Sequence, residues 1–142
     1  EDHPECLYYS GTERYRNQDY EGASIFWEKL TAIDVNPEYN ELKVNAHNNL
    51  GYLKFHGLIP KASPSKALEH WHQAVSLGQL ESDYHLCYAY ADKEYPTYNS
   101  SKAVGHCKRA WAIYNNTKPK TKSDSQILLD IEGYLSSLGI SS

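Results

Sequence analysis

Apolar residues recur along this chain at helical spacing rather than in strand-like alternation. From 41 to 56, Leu42, Ala46, Leu50 and Leu53 fall three or four residues apart, and Gly57 ends the run. A turn rich in Pro and Ser follows, Pro60 to Ser65, in which Ser63 or Ser65 is placed to cap the next helix. Ala67, Leu68, Trp71, Ala74 and Val75 then form a second apolar stripe over 65–77, closed by Gly78. The same pair of stripes returns downstream. One helix is predicted over 82–92, then a loop containing Pro96 and Asn99-Ser100-Ser101, then a helix over 101–114.

The return has a fixed period. Leu50 and Leu86, Ala67 and Ala103, and Ala74 and Ala110 all stand 36 residues apart, as do Lys66 and Lys102, and His70 and His106. Several small or apolar positions at one offset define an internal repeat. The first 40 residues read as a more distant copy. Leu7, Gly11, Ala23 and Trp27 reproduce its small and large positions, with a shorter turn at Asn17-Gln18-Asp19 and Pro37 ending the unit. A last amphipathic helix is predicted over 123–138 from Ile127, Leu128, Ile131, Tyr134, Leu135 and Leu138. Such a helix covers the open apolar end of a repeat array. The expectation is therefore one all-α domain over 1–142, with units at 5–37, 41–78 and 81–115 and a cap, seven helices in all.

Hairpin packing explains the recurring residues. Two helices approach closely only where one side of the crossing is small. Gly51 is expected to face Ala67 and Trp71, because a mid-helix glycine costs about 1 kcal/mol relative to Ala and needs a packing reason.

The run Ala46-x-x-x-Leu50-Gly51, with Gly57, Lys66-Ala67, Trp71, Ala74 and Gly78, resembles the Sel-like repeat branch of the tetratricopeptide class. The first unit is closer to an ordinary tetratricopeptide repeat. The resemblance spans roughly residues 5 to 115. The third copy departs from it, with Cys87 where the family has Gly and Cys107 where the middle unit has Trp71. The doubled glycine of the family's inter-helix loop is also missing after Gly57. The resemblance implies a short right-handed α-solenoid of about three helix-turn-helix repeats plus the C-terminal capping helix. It further implies that partners bind on the concave face lined by the first helix of each pair. Carried onto this sequence through the Gly11, Gly51 and Cys87 positions, that face holds Tyr8, Thr12, Tyr15 and Arg16 in the first unit. It holds Asn45, Asn48, Tyr52, Phe55 and His56 in the second, and Tyr84, Tyr88 and Asp92 in the third. The alternative for Tyr52 and Tyr88 is plain packing between repeats.

Composition adds three points. Tyrosine occurs 13 times against 3 Trp and 2 Phe, and its apolar ring with a polar tip is common on protein-binding surfaces. The net charge of -4 comes without a Lys/Arg block, so the footprint of a nucleic-acid binder is missing. The run Lys118-Pro119-Lys120-Thr121-Lys122 reads as a solvated linker. No apolar stretch reaches the roughly 18 residues of a membrane span, so membrane insertion is not expected. The chain starts at Glu1 and contains no Met, consistent with a removed leader or a trimmed end.

Candidate chemistry is sparse. Cys87 and Cys107 replace residues expected to face each other across one hairpin, so either a disulfide or two adjacent buried thiols results. A disulfide would point to an oxidising compartment. Cys6 is expected to be a lone thiol. His70-Trp71-His72 is the densest histidine cluster, but residues two apart on a helix point to different sides, and no metal or other cofactor is expected. Gly-rich phosphate loops, Gly-x-Ser-x-Gly and His-Glu-x-x-His are absent, so an enzyme is the least favoured class. Asn99-Ser100-Ser101 and Asn115-Asn116-Thr117 match the glycosylation sequon. The expected function is protein binding. Its narrower form is a bacterial immunity protein that neutralises a secreted toxin or effector enzyme, a role in which Sel-like repeat proteins are found and which a chain of this size suits. Such a protein would be periplasmic or secreted, with the cytoplasm as the alternative. An envelope adaptor or regulator binding its partner through the concave face is the other reading.

Overall fold

The computed structural model describes residues 3–79, 81–117 and 121–140, and all regular structure among them is helical. Seven α-helices are found in these residues: α1 Pro4–Arg16, α2 Tyr20–Ala32, α3 Asn40–Phe55, α4 Pro64–Ser76, α5 Ser82–Ala91, α6 Ser100–Asn116 and α7 Lys122–Ser137. A 3-10 turn, Pro37–Tyr39, leads into α3; α2 already ends at Ala32, with Ile33 extended, so Pro37 opens the next element and does not stop the helix before it. The expected helix ends from residue 41 onward are met to within two residues. Lys118, Pro119 and Lys120 lie outside the described residues; Thr121 and Lys122 of the same run begin α7.

Local chemistry sets the helix ends. The side chains of Asp19, Ser63 and Asn99 accept hydrogen bonds from the backbone N–H groups of Gly22, Lys66 and Lys102, starting α2, α4 and α6. Ser63, not Ser65, is thus the cap of α4. Thr121 and Asp124 form a reciprocal capping box at the start of α7. Beyond α3 and α4, Gly57 (φ +70°) and Gly78 (φ +105°) take the left-handed conformation that stops a helix at little steric cost.

The chain divides into two compact units, Glu1–Gln79 and Leu80–Ser142. In the first, α1 packs on α2 and α3 on α4, while α3 also meets α1 and α2. Leu7, Ala23, Trp27, Leu30, Ala46, Leu50 and Leu53 form its core, flanked by Tyr8, Tyr20, Phe26, Ile33, Val35, Leu42 and Ile59. In the second, α5 packs on α6, and α7 lies against both. Leu86, Cys87, Ala103, Cys107, Ala110 and Ile131 are fully buried there.

Each of the three hairpins is closed at one crossing point. In α1–α2 it is Gly11 against Trp27, and in α3–α4 it is Gly51 against Trp71. A Cβ at either glycine would lie less than 3.0 Å from the indole. Each indole N–H donates to the carbonyl three residues before its glycine, Trp27 to Tyr8 (3.2 Å) and Trp71 to Asn48 (3.1 Å). The donor is therefore satisfied although the ring is buried. Removing roughly 200 Å² of such a ring from water is worth about 5 kcal/mol. In α5–α6 the same two places hold Cys87 and Cys107, and they are bonded as a disulfide with their Cα atoms 4.6 Å apart. Cys6 is a free, exposed thiol.

Candidate functional site

The residues expected to meet a partner fall on both units, and each set is described within its own unit. In the first, α1 and α3 present an aromatic surface. Tyr15 and Tyr52 are each 38% exposed, and Tyr15 lies close enough to Tyr52 and Tyr20 that their charges, together with partial burial as the larger cause, raise its phenol pKa. The ring of Tyr15 also meets Tyr20 edge-on (5.3 Å) and Trp27 (6.0 Å), so the core tryptophan backs it. Tyr52 sits 4.4 Å from the ring of His56, whose pKa burial lowers. Arg16 and His56 are exposed, and Tyr8 is half-buried with its ring tilted over Trp27.

Other members of the set carry structural duties. Thr12 donates its hydroxyl to the Tyr8 carbonyl, within its own helix (3.0 Å). Asn45 accepts from the Gln79 side chain (3.1 Å). The carbonyl of Asn48 receives the Trp71 indole, and Phe55 is 8% exposed, its ring 5.2 Å from Trp71. The face thus has Tyr15, Arg16, Tyr52 and His56 outward, on a base built by Tyr8, Thr12, Asn48 and Phe55.

In the second unit, Tyr84 is half-buried and Tyr88 only 7% exposed. Tyr84 meets Tyr88 (5.2 Å) and Tyr114 (6.1 Å), and Tyr88 meets His85 and Tyr95. The Tyr88 hydroxyl lies 3.0 Å from His85 Nδ1. Asp92 is the residue at which α5 stops, and its carboxylate accepts from the Glu94 N–H (2.9 Å). Burial and then neighbouring negative charge, from Glu81 and Asp124, push the Tyr114 phenol up to about 12. Tyr134 reaches about 12 by the same route, with Asp92 and Asp130 beside it.

On α2, α3, α4 and, separately, α5–α6, the structure holds polar clusters that the sequence reading did not assemble. In the first unit, His47 Nδ1 lies 3.0 Å from His70 Nδ1, and His70 Nε2 accepts from Lys54 Nζ at 2.8 Å. Lys54 also pairs with Glu28 at 3.4 Å. Desolvation, followed by the charge of Lys54, holds His70 down to about 3, and His47 is lowered as well. In the second unit, fully buried Asp83 accepts from His106 (2.8 Å) and Arg109 (3.4 Å). A signal for both clusters was present in the sequence. His47 and Asp83 stand 36 residues apart, each four before Gly51 or Cys87, while His70 and His106 stand one before Trp71 or Cys107. A repeated position that changes from Leu7 to His47 to Asp83 hides its equivalence when only apolar identity is followed.

Among the described residues no group of three or more His, Cys, Asp or Glu is placed to hold a metal ion. No helix among them is long and apolar enough to cross a membrane. Compared with protein-family models, with curated proteins and with solved structures, the chain matches none.

Proposed function

We propose that this chain is a protein-binding module, a short right-handed solenoid of three Sel-like or tetratricopeptide-like repeats with a C-terminal capping helix, and that it neutralises a secreted toxin or effector enzyme as an immunity protein. The repeat reading is supported by one crossing geometry in all three hairpins, Gly–Trp, Gly–Trp and Cys–Cys. The observation that carries the binding reading is the pair of outward tyrosines, Tyr15 on α1, backed by buried Trp27, and Tyr52 on α3, set against the His56 ring, with Arg16 exposed on the same helix as Tyr15. Rigid, half-supported tyrosines are what hot spots are made of, since little side-chain entropy is lost when a partner covers them. The disulfide supports an oxidising compartment, periplasmic or extracellular, where toxins are met. An envelope adaptor binding through the same face is the second reading, and affinity separates the two. Inhibitory complexes commonly reach nanomolar Kd or tighter, whereas adaptors hold short segments weakly.

The test is affinity capture from the source organism with the oxidised chain as bait, repeated with Tyr15→Ala/Tyr52→Ala. A single stoichiometric toxin, bound with nanomolar Kd and weakened at least a hundredfold by the double substitution (about 2.7 kcal/mol), is the expected result. Capture unaffected by the substitution would remove this face from the reading, and a spread of weakly held clients would leave the adaptor.

A further inference from the structure

At the junction of α2, α3 and α4, Glu28, Lys54, His70 and His47 stand in one line of polar contacts. Lys54 is an ammonium, a donor with no acceptor capacity, and it points at His70 Nε2 from 2.8 Å. That nitrogen must therefore be unprotonated. A neutral imidazole then carries its proton on Nδ1, which His70 donates to His47 Nδ1 at 3.0 Å. His47 in turn keeps its proton on Nε2. The bonds form one directed chain, Lys54 to His70 to His47, running between α3 and α4, and Glu28 ties it to α2 through Lys54 at 3.4 Å and lies 3.8 Å from His70 Nε2. The side chains of Lys54 and His70 are 12% and 15% exposed, so water does little to screen them.

We infer that this chain of hydrogen bonds is an acid-operated latch, which holds α2 and the α3–α4 hairpin together at neutral pH and releases them when either histidine takes a proton. Protonated His70 turns a donor toward the Lys54 ammonium, and protonated His47 turns a donor toward the His70 N–H. Either event breaks one bond of the chain, Lys54–His70 or His70–His47, and the two together break both. The surrounding charges do not rescue it. Lys54 and Lys43 on α3 and Lys66 on α4 disfavour the imidazolium ions, and they are opposed by Glu28 on α2, with Glu69 on α4 already paired with Lys66 at 3.9 Å. Thr31, His72 and Gln73 line the same cleft and add no further carboxylate. The first hairpin shows what an untitratable version looks like. Its equivalent places hold Leu7 and Phe26, and Arg14 lies over the Phe26 ring at 5.9 Å where Lys54 meets His70.

The sign follows from linkage. A histidine neutral in the fold and ordinary when released contributes stability that is complete above its released pKa of about 6.5 and is lost as pH falls toward its folded value. For His70 alone, opening should become about thirtyfold more favourable at pH 5 than at pH 7.5. Hydrogen exchange of α2, α3 and α4, corrected for intrinsic exchange, should show at least that increase in the wild-type chain. In His47→Leu/His70→Phe it should show threefold or less. Histidine ring resonances read by NMR are the second measurement, and need no variant: His70 should remain neutral at pH 5. A His70 ring that titrates near pH 6.5 in the folded chain, or equal acid response in wild type and variant, overturns the latch.

Discussion

At the scale of single residues, the glycines separate into two kinds that the sequence alone does not distinguish. Gly51 and Gly133 both sit inside helices, but only Gly51 is pressed against an indole. A Cβ there would collide with Trp71, whose ring is fixed by its bond to Asn48, so the side chain has no room to retreat. Gly51→Ala should therefore lower stability by about 2 kcal/mol, because overpacking outweighs the helix-propensity gain. Gly133→Ala meets nothing within 4 Å and should raise stability by about 1 kcal/mol. Chemical denaturation of both variants checks this, and the same sign for both would refute the packing role of Gly51. Gly51 was legible in the sequence because an unfavourable residue in mid-helix calls for a neighbour of complementary size. The histidine and Asp83 clusters left a signal only in the 36-residue offset of His47 to Asp83 and His70 to His106, because a buried polar pair is defined by two helices at once and apolar periodicity reports only one.

At the scale of the helical pair, one contact is made in two chemistries. α1–α2 and α3–α4 use a glycine and a tryptophan, while α5–α6 uses a disulfide that closes a span of 20 residues. Chain-entropy arguments put such a cross-link at about 3 kcal/mol. Cys87→Ala/Cys107→Ala should lose roughly that amount, since it removes the bond and leaves a small pair at the crossing. If the crossings are equivalent, Cys87→Gly/Cys107→Trp should recover about 1 kcal/mol or more, with the new indole donating to the Tyr84 carbonyl as its counterparts do to Tyr8 and Asn48. Thermal melts of the three forms decide it. A Gly/Trp pair no better than the Ala pair would mean that the third hairpin has repacked around its sulfurs and kept only the outline of the others. The helix pattern itself was readable throughout, because apolar spacing and caps act locally. The place where a repeat exchanges one chemistry for another emerges only when the pairs are compared side by side.

At the scale of the molecule, the two units carry different vulnerabilities. The titratable chain Lys54–His70–His47 belongs to the first, and the disulfide to the second. Division into units was not legible in the sequence, because the 36-residue period runs without interruption from the second hairpin to the third. Two perturbations should accordingly act on different helices. Reduction at pH 7.5 removes the cross-link and should raise exchange in α5 and α6 by about a hundredfold, given about 3 kcal/mol of lost stability. It should leave α1 to α4 within a factor of three. Acidification to pH 5 with the disulfide intact should do the reverse, raising exchange in α2, α3 and α4 first. Hydrogen exchange with peptide-level resolution reads both in one experiment. If either treatment raises exchange uniformly over all seven helices, the chain unfolds as one cooperative body, and the separate cores do not translate into separate stabilities. If the responses divide, a partner held by Tyr15 and Tyr52 should be sensitive to acid and indifferent to reductant, because the helices that present those tyrosines belong to the acid-sensitive unit.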